Sequence, residues 1–275
     1  MRKYIIQGGK KLQGEISVSG SKNVATKTLV AACLTEDEVT ISNVPLINDF
    51  LIMLEIIKHL GAEVRLTDHT VTIRLKNITD TKIPLEYAAK IRPSSMLISP
   101  LLARCRKAEV PNPGGCRIGA RPIDRHIEGL QAMGARVSYL SEDGYFHAST
   151  EGLRGAEYTF EKNSHTGTET LILAAVLAEG KTVIKNAALE PEIDDLIDLL
   201  TQMGAKISRK DARIIEIDGV EKLHGTSYSI MPDRNEVVTM AILSSLTGGN
   251  IWIKNAQQDQ ITVFLEKFKE AEGDW

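Results

Sequence analysis

One arrangement of apolar and polar positions recurs along the chain. An apolar helix comes first, then a short turn, a strand, an amphipathic helix, a Gly-Ala pair and another strand. The first copy predicts helix Lys22–Leu34, strand Val39–Asn43 and helix Asp49–Leu60, followed by Gly61-Ala62. The second predicts helix Ser94–Arg104, a long loop, helix Asp124–Met133 and then Gly134-Ala135. The third predicts helix Thr168–Leu177, strand Thr182–Asn186, helix Ile193–Met203 and then Gly204-Ala205. A fourth begins with helix Val237–Leu246 and strand Ile251–Asn255, and runs into helix Phe264–Ala271. Gly61, Gly134 and Gly204 are spaced by 73 and 70 residues, a regularity that marks repeated supersecondary units. A glycine there fits the end of a helix from which a strand leaves at once.

The leading helix of each copy has no polar face. Leu171-Ile-Leu-Ala-Ala-Val-Leu-Ala178 is apolar on every side, so it must be buried all round. Val71-Thr-Ile-Arg-Leu75 alternates instead, as a half-exposed strand does. Helices are therefore expected inside, with sheets and amphipathic helices outside. Three copies would close around three buried helices; an ordinary two-layer sandwich is the other possibility. The fourth copy is incomplete, and the N-terminal stretch before Lys22 is its natural strand partner. Lys3-Tyr-Ile-Ile-Gln7 also reads as a strand.

Composition narrows the function. Net charge is −3, which argues against bulk nucleic-acid binding, so an anion site must be a local cluster of Lys and Arg. Three cysteines without CxxC spacing (Cys33, Cys105, Cys116) argue against a disulfide framework or zinc site. Histidine spacing suggests no metal, and no dinucleotide or P-loop glycine fingerprint appears, so no cofactor is expected. Without a leader pattern or a long apolar stretch, the expected setting is cytoplasmic, with reduced thiols and no membrane partner.

The candidate chemistry lies in Pro111–His126. Cys116 sits in a proline- and glycine-rich stretch with Arg117, Arg121 and Arg125 nearby. Such a stretch must be a surface loop, and a thiol on a basic loop is suited to chemistry on anions. Ser19-Gly20-Ser21-Lys22-Asn23 precedes a buried helix and offers free N–H groups, the helix dipole and a lysine to an anion. Arg92 repeats a cation at a helix start, and Lys162-Asn163-Ser164-His165 forms a polar loop before the third buried helix. Taken singly, a capped helix with a solvated lysine explains Ser19–Asn23 as well as an anion site does, while a surface arginine at Arg92 and a solvated turn at Lys162–His165 are the better readings. Asp124 fits an N-cap, and Cys33 and Cys105 fit packing positions.

Taken together, the motifs carry a resemblance. Ser19–Asn23, Pro113-Gly-Gly-Cys116, Ile118-Gly-Ala-Arg-Pro-Ile-Asp124, Glu190-Pro-Glu192 and Pro232-Asp-Arg234 resemble those of the enolpyruvyl transferases, in particular the branch that acts on UDP-N-acetylglucosamine. The resemblance implies an inside-out α/β barrel: two domains of three repeats with buried helices and an active site between them. Residues 22–231 would be a complete first domain; 1–21 and 232–275 would be part of an incomplete second. It implies transfer of the enolpyruvyl group of phosphoenolpyruvate to the 3-hydroxyl of UDP-N-acetylglucosamine, the committing step of peptidoglycan synthesis, with fosfomycin as an inhibitor. Cys116 would deliver a proton, and Lys22, Asn23 and Arg121 would bind phosphoenolpyruvate. Arg92, Arg121, Pro122, Ile123, Asp124, Arg125, Lys162, Asn163, Ser164 and His165 would bind the nucleotide sugar. The family's base for the sugar hydroxyl belongs to the second domain, so this chain alone is expected to turn over negligibly. A non-catalytic UDP-sugar-binding relic and a shikimate-pathway transferase are the alternatives.

Overall fold

The structure, a computed structural model, describes residues 3–115, 119, 122–271 and 273. Cys116, Arg117 and Arg121 lie outside the described residues. The chain divides into two compact units, Lys22–Ile230 and a smaller one made of 1–21 with 231–275.

Strand β1 (Gln13–Ser17) belongs to the smaller unit. In the larger unit the first repeat comprises α1 (Lys22–Ala32), β2 (Val39–Ser42), α2 (Asn48–His59), β3 (Glu63–Thr67) and β4 (Thr70–Arg74). The second comprises a short α3 (Leu85–Ala88), a 3₁₀ turn (Pro93–Leu97), α4 (Ile98–Cys105), β5 (Lys107–Pro111), α5 (Asp124–Ala132), β6 (Arg136–Leu140) and β7 (Tyr145–Ser149). The third comprises β8 (Glu157–Thr159), α6 (His165–Ala175), β9 (Lys181–Lys185), α7 (Pro191–Gln202), β10 (Lys206–Asp211) and β11 (Ile214–Asp218), and β12 (Ser227–Ser229) follows it.

Three sheets enclose the buried helices, ordered β12-β2-β4-β3, β5-β7-β6 and β8-β9-β11-β10. In the first and third, a short strand pairs parallel with the strand after the buried helix, and the other pairings are antiparallel. Val24–Ala32 of α1 and Gly167–Ala175 of α6 are wholly buried, as are Ser94–Leu102. The inside-out reading of the pattern is what the structure shows. Buried hydroxyls on these helices find partners: Ser99 Oγ donates to the Thr170 carbonyl, and Thr168 Oγ1 accepts from the Ala188 N–H.

The repeat extends to the turns. Gly61, Gly134 and Gly204 have φ of 106°, 89° and 97°, the left-handed conformation that a side chain would strain. Asn43 and Asn186, after β2 and β9, are also left-handed, at 60° and 52°. Their amides do the same work: Asn43 Nδ2 donates to the Ile230 carbonyl at 3.0 Å and Asn186 Nδ2 to the Phe160 carbonyl at 2.9 Å. Each acceptor lies one residue past the parallel strand, β12 or β8, so each asparagine locks a sheet edge.

Three expectations need correction. The helix expected at Ser94–Arg104 is two pieces, because Pro100 has no N–H for the Met96 carbonyl and its ring crowds that carbonyl. The third buried helix begins at His165 because Ser164 caps it, accepting from the Gly167 N–H at 3.1 Å. Lys3–Gln7 is not a strand; Ile5 is 98% exposed, and among the described residues its backbone pairs with nothing.

In the smaller unit, β1 pairs parallel with β13 (Asn250–Lys254), flanked by α8 (Arg234–Leu246) and α9 (Thr262–Glu270). Its core is small: Val18, Val237, Ile261 and Leu265. Helix α8 is apolar like α1 and α6, yet Leu246 is 81% exposed.

Candidate anion-binding cleft

The starts of α5 and α6 and the side of α1 converge on a cleft of about 410 Å³. Its walls are Asn23 and Lys27 of α1, Arg92 before the 3₁₀ turn, Pro122, Arg125 and His126 around the start of α5, and Ser164, His165 and Thr166 at α6. Asn23 and Lys27 are four residues apart and so share a helix face. Gly129 lets α5 approach α6: a Cβ there would meet Leu171 Cδ2 at 2.5 Å.

The cleft is cationic for reasons of geometry. Arg92 stands just before the 3₁₀ turn, and its Nη2 donates to the Pro122 carbonyl at 3.3 Å. His126 is 5% exposed, and its Nε2 lies 2.9 Å from Thr166 Oγ1. Burial, then the positive charge of Arg92, and further that of Arg125, hold the His126 ring down to about 4, with the Ile123 carbonyl opposing them. His126 is therefore neutral at neutral pH, while two guanidiniums face the same space. The first turn of α6 adds N–H groups and the positive end of the helix dipole. Beneath these, Lys27 Nζ lies 3.4 Å from the buried Glu169, which also takes His165 Nε2 at 3.1 Å.

The cysteine loop is anchored beside this cleft at both ends. The Asn112 N–H donates to the Gly144 carbonyl and the Gly114 N–H to the Ala88 carbonyl. A side chain at Gly114 would start 1.7 Å from the Ala89 carbonyl oxygen, so glycine is obligatory there. A Cβ at Gly115 would meet Arg92 Cβ at 3.4 Å, and Pro122 at the far end accepts from Arg92. Arg92 thus stands at the root of the loop that carries Cys116.

The residues singled out from sequence fall into three groups. Asn23, Arg92, Pro122, Arg125, Ser164 and His165 line the cleft. Lys22 is engaged elsewhere, with Nζ 2.9 Å from Asp49 of α2; Lys162, Asn163 and Asp124 are exposed and do not line the cleft, and Ile123 is buried. Cys116 and Arg121 lie outside the described residues. Asp124 is not the N-cap: it is the first residue of α5, Ile123 takes the cap position, and among the described residues no side chain caps the helix. Sequence reasoning missed Lys27, His126, Thr166 and Glu169. A lysine and a glutamate inside otherwise apolar helical runs were the available signal.

The model of the EPSP synthase (3-phosphoshikimate 1-carboxyvinyltransferase) family matches residues 6–275. The chain belongs to this family. A curated relative from Acidobacterium capsulatum, named UDP-N-acetylglucosamine 1-carboxyvinyltransferase, is 44% identical over 275 residues, covering 98% of this chain and 63% of the relative. One of the same name from Koribacter versatilis is 42% identical, with the same coverage. The chain thus spans just under two thirds of these relatives. Among solved structures, the enolpyruvyl transferase NikO from Streptomyces tendae matches with a TM-score of 0.76 at 23% identity, over 86% of this chain and 56% of NikO. EPSP synthase from Acinetobacter baumannii matches at 0.69 and 20%, over 86% and 54%. These two likenesses establish the enolpyruvyl-transferase fold.

Among the described residues no helix is long and apolar enough to cross a membrane.

Proposed function

We propose that this chain supplies the first three-repeat domain of an enzyme that transfers the enolpyruvyl group of phosphoenolpyruvate to the 3-hydroxyl of UDP-N-acetylglucosamine. The observation that carries the reading is the convergence of Arg92, Arg125 and the α6 N-terminus on one cleft, lined also by Pro122, which follows the Cys116 segment in sequence. Those groups suit the diphosphate of a nucleotide sugar: two guanidiniums offer paired donors, and a helix start adds N–H groups aimed at oxygen. The names of the two relatives supply the sugar nucleotide.

In this reading Cys116 donates a proton to the methylene carbon of phosphoenolpyruvate while the sugar hydroxyl attacks the neighbouring carbon. Loss of phosphate, together with a methyl proton, then restores the double bond. Cationic neighbours lower a thiol's pKa, whereas a general acid must hold its proton. Ligand phosphates would offset the arginine charge and reconcile the two. Lys22 reaches phosphoenolpyruvate by exchanging Asp49 for ligand, and Asn23 and Arg121 complete that site. Lys162 and Asn163 close on the sugar nucleotide from the α6 side, and Ile123 and Asp124 through the turn they form.

Residues 22–231 are the catalytic domain's complete repeat set, and 1–21 with 232–275 begin a second. The exposed apolar face of α8 fits this, since α1 and α6 bury the same kind of surface. The setting is cytoplasmic, where thiols stay reduced. The 275 residues, which span just under two thirds of the relatives' length, are expected to bind UDP-N-acetylglucosamine with negligible phosphate release. Calorimetry tests this: saturable binding at one site, abolished in Arg92→Ala/Arg125→Ala, supports it. A wild-type chain that takes up no nucleotide sugar contradicts it.

A further inference from the structure

We propose that Lys27 is a third ligand-binding cation of the cleft, one that Glu169 holds in place until a phosphate group arrives. The inference rests on the anion-binding reading of the cleft and names a residue which that reading leaves out.

Lys27 is an unusual occupant of α1. Residues Val24–Ala32 are all buried, and the Lys27 side chain is 4% exposed, yet it reaches the cleft wall one turn from Asn23. An ammonium has three donors. Among the described residues its only anionic partner is Glu169, at 3.4 Å, and that carboxylate oxygen makes no hydrogen bond. The other oxygen of Glu169 is taken by His165 Nε2 at 3.1 Å, and His165 Nδ1 faces Glu190 at 3.9 Å. The pair is therefore long and leaves donors unfilled.

A pair of this kind is a poor stabiliser. Removing two charges from water is costly, and only good geometry with full hydrogen bonding offsets it. Apolar side chains of similar volume would serve α1 and α6 at least as well. The arrangement makes sense if the missing donors are filled by a ligand. Charge points the same way: Arg92, Arg125 and Lys27 face the space, and Glu169, fully buried, balances one of them without lining it. A ligand with two phosphate groups could engage the arginines and the α6 start while one oxygen completes the shell of Lys27. The residue would then favour diphosphates over monophosphates of the same nucleoside.

The test uses the full chain and two probes, inorganic diphosphate and UDP-N-acetylglucosamine. Lys27→Met/Glu169→Gln removes the cation and its counterion together, leaving local net charge unchanged and no buried charge unpaired. The expected result is a diphosphate Kd weakened fivefold or more, with wild-type binding or tighter in Glu169→Gln alone. A smaller loss in the double variant overturns the proposal. Should the double variant not fold, the wild-type chain carrying ε-¹³C lysine decides: the Lys27 signal moves as diphosphate saturates the cleft, and a static signal overturns the proposal. Lys27-dependent diphosphate binding without UDP-N-acetylglucosamine binding would keep this inference and sink the sugar-nucleotide reading. Binding of both, independent of Lys27, would do the reverse. Binding of neither sinks both.

Discussion

His126 Nε2 lies 2.9 Å from Thr166 Oγ1, and this contact joins the start of α5 to the first turn of α6 on the floor of the cleft. The ring's pKa is held down to about 4 by burial and by two arginines. In the unfolded chain it would titrate near 6.5, so between these values the unfolded state binds the extra proton. Stability from this group is complete above about 6.5 and is lost as pH falls toward 4. Acting alone it would remove about 2 kcal/mol by pH 5. Denaturant midpoints measured from pH 7.5 to 4.5 should fall more steeply for wild type than for His126→Gln. Parallel profiles would show that His126 carries no such linkage.

Gly114 packs against the Ala89 carbonyl with no room for a methyl group. Gly114→Ala should displace the start of the cysteine loop and cost roughly 1–3 kcal/mol, the usual range for overpacking. Thermal unfolding reads the cost. Alkylation of Cys116 under native conditions reads the displacement, and its rate should change several-fold.

Cys33 offers an internal control for that experiment. It is buried, its Sγ donates to the Leu29 carbonyl, and burial pushes its pKa up to about 12. The thiolate is the reactive form, so Cys33 should resist iodoacetamide at pH 8 and react only when the larger unit opens. Peptide mass spectrometry with and without denaturant checks this.

Asn43 and Asn186 lock their sheets in the same way, so their substitutions should behave alike. Asn186→Ala loses the bond to Phe160 and puts alanine at positive φ, for roughly 1–3 kcal/mol in all. Asn186→Gly loses only the bond and should recover part of the stability. Equal losses for alanine and glycine would show that backbone conformation contributes nothing there.

These asparagines also show where the sequence stops being legible. Buried helices and Gly-Ala turns declare themselves locally, since Leu171–Ala178 can only be interior and Gly61, Gly134 and Gly204 end helices at nearly regular spacing. The pairing of β12 with β2 does not, because its partners are far apart in the chain and meet over only three residues. The candidate site was legible in its arginines and loop motifs. It was illegible where function hides in core-like helices, as with Lys27 and Glu169, or behind a neighbouring motif, as with His126 next to Arg125. Partner choice was also hidden: Lys22 faces Asp49, and only a folded α2 brings that carboxylate within 2.9 Å.

The account depends on a diphosphate-shaped anion site among Arg92, Arg125 and the start of α6. Nuclear magnetic resonance of the histidine rings during titration with UDP-N-acetylglucosamine tests it most directly. The account predicts saturating shifts of His126 and His165, with His59 and His147, far along the chain from any cleft residue or on an outer sheet, left unmoved. Unshifted His126 and His165 signals at ligand concentrations that saturate the chain by calorimetry would contradict it.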